Sequence, residues 1–87
     1  MKGYVYILKD ENQKLYVGST DNISRRLKQH NAKHTATTAR MQLPRLVLAQ
    51  EYPSLEIARK VERKIKKLKR KDYIEKMIKD GYIKVSV

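Results

Sequence analysis

Two short tyrosine-bearing runs, Tyr4-Val5-Tyr6 and Tyr16-Val17-Gly18, stand one turn apart near the start of the chain. Residues 3–9 and 14–19 are rich in β-branched and aromatic side chains. Asp10-Glu11-Asn12-Gln13 between them is a turn-forming cluster, so the two runs read as a β-hairpin. Strand geometry puts Tyr4 and Tyr6 on one face, and Tyr16 begins the run that pairs with theirs, so two phenols are expected to converge. For any one of these tyrosines the plainer reading is packing with the hydroxyl at the surface; only their combination with other groups argues for chemistry.

The rest of the chain alternates in the same legible way. Asp21 or Asn22 caps a helix from Ile23 to about Ala32, with Ile23 and Leu27 facing the core. From Asn31 to Arg45 the sequence is polar and threonine-rich and closes at Pro44, a loop long enough to suggest function. Residues 45–52 form a third strand whose run Leu46-Val47-Leu48-Ala49 suits a covered sheet. Pro53-Ser54 opens a second helix capped by Ser54, with Ile57, Ala58, Val61, Ile65 and Leu68 at helical spacing. A third helix is expected over Lys71–Asp80, with Tyr73, Ile74, Met77 and Ile78 inward and Gly81 as its stop. The order β-β-α-β-α-α defines an α+β fold, and 87 residues are expected to make a single domain, 1–87.

Charge narrows the partners. Twenty-one Lys and Arg against nine acids leave a net charge of +12, a field that concentrates polyanions, of which nucleic acid is the commonest. With no cysteine, neither disulfides nor a thiolate metal site holds the fold, which fits a reducing cytoplasm. Met1-Lys2-Gly3 leads straight into a strand-like run with no leader-like apolar core, and no apolar stretch approaches the roughly 20 residues that span a bilayer. No membrane partner is expected. The basic second helix could lie on anionic lipid, but its stripe lacks Trp and Phe and is needed for the core.

Phosphodiester hydrolysis needs an activated nucleophile, a cation facing the phosphoryl oxygens and help for the leaving oxygen. Arg26 and His30 are four residues apart in the first helix and so share a face. A guanidinium there can brace a phosphate through two hydrogen bonds, and an imidazole can pass a proton. Arg25, Lys28 and Gln29 are neighbours that read as a solvated flank, and charge alone does not separate Arg25 from Arg26. Arg26, however, adjoins the Ile23 and Leu27 stripe. From Arg59 to Lys71, nine of thirteen residues are basic and Glu62 is the only acid. A carboxylate so placed is held ionised and suits a hard divalent cation such as Mg²⁺, although on these grounds alone a simple Glu62–Lys66 helix pair is the favoured reading. The surrounding Arg59, Arg63, Lys66 and Lys67 form a basic face that can track a phosphate backbone.

Taken together, Tyr6, Tyr16, Gly18, Arg26, His30 and Glu62, in that order, resemble the GIY-YIG nuclease superfamily, in particular its small stand-alone bacterial members. The match covers about the first two thirds of the chain and includes the pattern Ala58-x-x-x-Glu62 followed by Ile65-Lys66. The resemblance implies a three-stranded antiparallel sheet flanked by helices and cleavage of DNA with one Mg²⁺ or Mn²⁺. In that scheme Glu62 holds the metal, Arg26 stabilises the pentavalent phosphate, Tyr6 or Tyr16 activates water, and His30 assists proton transfer. Gly18 is the motif's structural glycine.

The chain departs from the pattern in two places. Tyr4 stands where the first motif has glycine, with Gly3 one place early, and Leu68-Lys69-Arg70-Lys71-Asp72 lacks the asparagine element that many relatives carry after the second helix. Arg25, Lys28, His34, Arg59, Arg63, Lys66 and Lys67 are the expected nucleic-acid contacts. The family's repair and homing members attach a separate DNA-reading domain, so low sequence specificity, with selection by structure or by a targeting partner protein, is expected here. The rival reading is a binding module that keeps the fold and the positive face without catalysis.

Overall fold

A computed structural model describes residues 2–31, 45–68 and 70–85, with residues 29–31 described in backbone only. The hairpin joins β1, Gly3–Lys9, to β2, Leu15–Thr20, antiparallel with Tyr6 opposite Gly18 and Leu8 opposite Tyr16. Its turn is tied by Asp10. The Asp10 carboxylate accepts the Lys14 N–H at 2.7 Å, its backbone carbonyl accepts from Gln13, and Gln13 takes a left-handed φ of 66° to close the loop. Asp10 is buried, and these bonds provide for a polar group there.

The third strand, β3, Arg45–Tyr52, pairs with β1 on its other side, giving a three-stranded antiparallel sheet in the order β2-β1-β3. The chain reaches it after a first helix, α1, Ile23–Asn31. Two further helices follow β3: α2, Leu55–Leu68, and α3, Lys71–Asp80. The expected α+β architecture is the one present, with each element within one or two residues of its expected bounds.

The alternation of β1 sorts the core into two. Val5 and Ile7, with Val17 and Leu48, face Ala58, Val61 and Ile65 of α2 and Ile74 and Met77 of α3. Tyr6 and Leu8 face the other way, against Tyr16 and the Ile23 and Leu27 stripe of α1. The sheet is therefore sandwiched, with α2 and α3 on one face and α1 on the other. Gly81 ends α3 at a φ of 83°, its N–H meeting the Met77 and Ile78 carbonyls. The Gln50 side chain then anchors the chain beyond, accepting the Ile83 N–H at 2.7 Å and donating to the Tyr52 hydroxyl at 2.9 Å.

Three packing expectations need correction. The Leu46–Ala49 run is not covered throughout: Leu48 is buried while Leu46 and Ala49 are exposed. A register irregularity at Ile7/Leu8 skips Val47, and β3 is an edge strand with its main cover on the α2 and α3 side. Leu68 closes α2 at its exposed last residue, and Tyr73 stands in the first turn of α3 on the rim, where its hydroxyl reaches water. His34, Thr35 to Thr38 and Pro44 lie outside the described residues.

Gly3 sets how closely α2 approaches the sheet. A Cβ there would stand 2.6 Å from Leu55 Cα and 2.7 Å from the Ser54 carbonyl oxygen, both backbone atoms that cannot swing aside. Ser54 in turn caps α2, its hydroxyl accepting the Ile57 N–H at 3.2 Å. Gly3→Ala is expected to destabilise the fold by about 1–3 kcal/mol, as overpacking does. Urea denaturation should show this as a lower midpoint at unchanged slope.

Candidate active site

The end of β2 delivers α1 to the sheet through a short polar turn. Thr20 Oγ1 accepts the Asn22 N–H at 3.1 Å, and Asn22 Oδ1 accepts the Arg25 N–H at 2.9 Å, so Asn22 rather than Asp21 is the cap. Asp21 pairs with Arg25 instead, at 2.5 Å, and turns that guanidinium outward. Arg26, the next residue, is half-buried over the sheet, and its Nε donates to the Tyr6 hydroxyl at 3.2 Å. Helical geometry and a capped start thus separate the two arginines that charge could not.

Tyr6 is 1% exposed. Its ring lies across Gly18 on the neighbouring strand, where an added Cβ would stand 2.5 Å from the Tyr6 hydroxyl oxygen and 2.6 Å from Cζ. Glycine at position 18 is therefore a requirement of contact. The Tyr16 ring is tilted 45° to that of Tyr6 with centroids 6.2 Å apart, so the two phenols converge as expected. Tyr4 does not join them, because its hydroxyl leaves for Glu51 across the sheet at 3.3 Å. Burial pushes the Tyr6 phenol up to about 12, Tyr16 adds to the shift, and the Arg26 hydrogen bond offsets part of it. The same bond to Tyr6 is the main cause that raises Arg26, with Tyr16 and Glu62 contributing their charge interactions.

Glu62 comes from the other face. Its side chain is 18% exposed; Oε1 accepts from Ser19 Oγ of β2, and Oε2 lies 2.6 Å from Lys66 Nζ. Lys66 Nζ is also 5.9 Å from the Tyr16 ring centroid, within cation–π range. Ser19, Arg26, Glu62, Arg59 and Arg63 line one open pocket of about 600 Å³, together with Leu55 and Glu56. Groups on opposite faces of the sheet thus meet around the edge of β2.

Of the other expected site residues, Lys67 is exposed on α2 and Lys28 on α1, both outside the pocket lining. His30 falls in α1 one turn after Arg26, its side chain outside the described residues. Ser19 was not singled out from the sequence, although period-two alternation places it with Val17 on the α2 side.

The donor set suits a hard divalent ion in its sparest form. Among the described residues no group of three or more His, Cys, Asp or Glu gathers; Glu62 and Glu56 are the two carboxylates that line the pocket. Mg²⁺ accepts this arrangement because it keeps several waters and takes further oxygens from substrate phosphate, and the pocket has room for both.

A hairpin with paired tyrosines, a helical arginine held on one of them and a glutamate across the sheet edge define a nuclease-type catalytic domain. The chain belongs to the GIY-YIG family: residues 2–77 match the GIY-YIG catalytic domain, a class that binds nucleic acid and uses a divalent metal. Among its relatives, a UPF0213 protein of Bacillus licheniformis is 38% identical over 82 residues, 90% of this chain and 84% of that one. A UPF0213 protein of Syntrophus aciditrophicus is 38% identical over 76 residues, 85% and 87% of the two chains. The solution NMR structure of a UPF0213 protein from Bacillus halodurans has the same fold, with a TM-score of 0.58 at 33% identity over 93% of this chain and 87% of that one. These names state no reaction. Among the described residues no helix is long and apolar enough to cross a membrane.

Because the folded Tyr6 value of about 12 lies above the ordinary 10.0, the native state keeps a proton that the unfolded chain releases. Stability from this group is complete below pH 10 and is lost as pH rises towards 12, by an amount on the order of 2 kcal/mol. Denaturant titrations of the wild type and Tyr6→Phe should show the wild type losing more stability than the variant across that window.

Proposed function

We propose that this protein is a divalent-metal-dependent DNA endonuclease that hydrolyses phosphodiester bonds with low sequence specificity. The observation that carries this reading is the convergence of Arg26 and Glu62, fixed on opposite faces of one sheet, at a single pocket rimmed by Arg59 and Arg63. The rim cations suit the phosphate backbone, which positions a substrate and carries no sequence information. Selection would then come from the shape of the DNA or from a targeting partner protein. The exposed Lys67, Lys28 and Arg25 extend the positive surface away from the pocket.

In this reading Arg26 receives the phosphoryl oxygens as negative charge builds on them, and Tyr6 holds it in place. A guanidinium already fixed by a buried phenol does not need to reorganise during the reaction, which is the source of such electrostatic stabilisation. Tyr6, pushed up to about 12, is a neutral phenol at physiological pH and suits this holding role. Tyr16, half-buried beside Lys66 with its ring converging on that of Tyr6, would activate the water. His30, on the turn after Arg26, would assist proton transfer to the leaving oxygen. Glu62 would hold one Mg²⁺ or Mn²⁺. When bound, that ion supplies Lewis-acid polarisation of the phosphate. Arg59, Arg63 and Lys66 bind and orient the strand.

The alternative, a non-catalytic nucleic-acid-binding module, makes a different forecast for the same variants. Cleavage of supercoiled, single-stranded and branched DNA with Mg²⁺ or Mn²⁺ should fall about 100-fold or more in Arg26→Ala and vanish in Glu62→Ala. Salt-sensitive DNA binding should survive the Glu62 change. Binding that persists in all three proteins without any cutting would instead establish the module.

A further inference from the structure

Two groups divide the Glu62 carboxylate between them: Ser19 Oγ donates to Oε1, and Lys66 Nζ sits 2.6 Å from Oε2. The lysine contact is the ordinary product of spacing on one helix and would form on almost any exposed helix face. The serine contact is of another kind. It links β2 to α2 across 43 residues of sequence and exists because Ser19, paired with Val5, points to the α2 side of the sheet. Glu62 is only 18% exposed, so this bond is made largely out of water.

We infer that Ser19 is a positioning residue for Glu62, fixing Oε1 so that Oε2 is the oxygen presented to a divalent cation, with Lys66 as the counter-ion that the metal displaces. The inference rests on the reading of Glu62 as the metal ligand. A glutamate on a basic helix has several rotatable bonds and would otherwise follow its neighbouring lysine outward. A hydrogen bond donated from the sheet removes that freedom for a side chain that lines the pocket shared with Arg26, and leaves the second oxygen to whichever cation pairs with it. A hydroxyl is suited to the task because it orients the carboxylate without cancelling its charge. Lys66 Nζ already stands 5.9 Å from the Tyr16 ring centroid while paired with Glu62, so the ring remains a partner for its charge once the carboxylate is taken.

Mn²⁺ binding to the nucleic-acid-free protein, followed by the electron paramagnetic resonance signal of free Mn²⁺, tests this without reference to cleavage. Wild type should bind and Glu62→Gln should not. Ser19→Ala should weaken binding about 10-fold or more, the usual cost of losing a residue that orients a ligand, and Ser19→Thr, which keeps the hydroxyl, should restore it. Lys66→Met should tighten binding, and by more than Lys67→Met, which removes an equal charge from the same helix away from the carboxylate. If Ser19→Ala bound as tightly as wild type while Glu62→Gln had lost the ion, the role of Ser19 would be overturned and the metal site would stand. Ser19→Thr as weak as Ser19→Ala would count against the role in the same way. Equal binding by wild type and Glu62→Gln would sink the metal reading itself.

Discussion

The contact of the Tyr6 ring with the bare backbone of Gly18 is the condition on which the site depends. A strand that crosses its neighbour with a side chain at that position would lift the ring, and with it the hydroxyl that holds Arg26. With glycine opposite, the ring meets that of Tyr16 and its hydroxyl meets the guanidinium. One missing Cβ therefore links the packing of the hairpin to the electrostatics of the pocket. The hydrogen bond also joins α1 to β1, adding to the packing of Ile23 and Leu27 that seats the helix in the smaller of the two cores.

Helix α2 serves two demands that usually belong to different elements. Ala58, Val61 and Ile65 are fully buried against the sheet, while Arg59, Arg63 and Lys66 stand on the flank that turns towards β2. Glu62 sits at the boundary between these faces, which is why it is mostly buried and yet reaches the pocket. A basic helix of this kind repels itself along its length, and packing of its apolar stripe on the sheet offsets that strain. Gly3 makes the packing close at one end, where the backbone of α2 rests directly on the first residue of β1.

The element order, the caps at Asn22 and Ser54 and the stop at Gly81 were legible in the sequence because each is written in local chemistry: a polar cap, a helical period, a glycine where φ turns positive. The grouping of Tyr6, Arg26 and Glu62 in one place was legible only through the family resemblance, since nothing local says that α1 and α2 meet around a strand edge. Packing at element ends was less visible. Leu68 and Tyr73 satisfy the helical period, but the sheet beneath them has run out, and Leu46 belongs to a strand whose register slips beside it. Ser19 and Gly3 were missed for a related reason. A serine and a glycine in strands carry no signal of their own, and their roles exist only once α2 is laid across the sheet.

Placing Arg26 on one layer and Glu62 on another has a geometric consequence. They reach one pocket from helices on opposite faces of a single sheet, so strand spacing and pleat set the frame between them. Changes in loops or in surface charge leave that frame in place. The sheet thus holds the two helices apart, and the pocket forms where residues of both can reach past it.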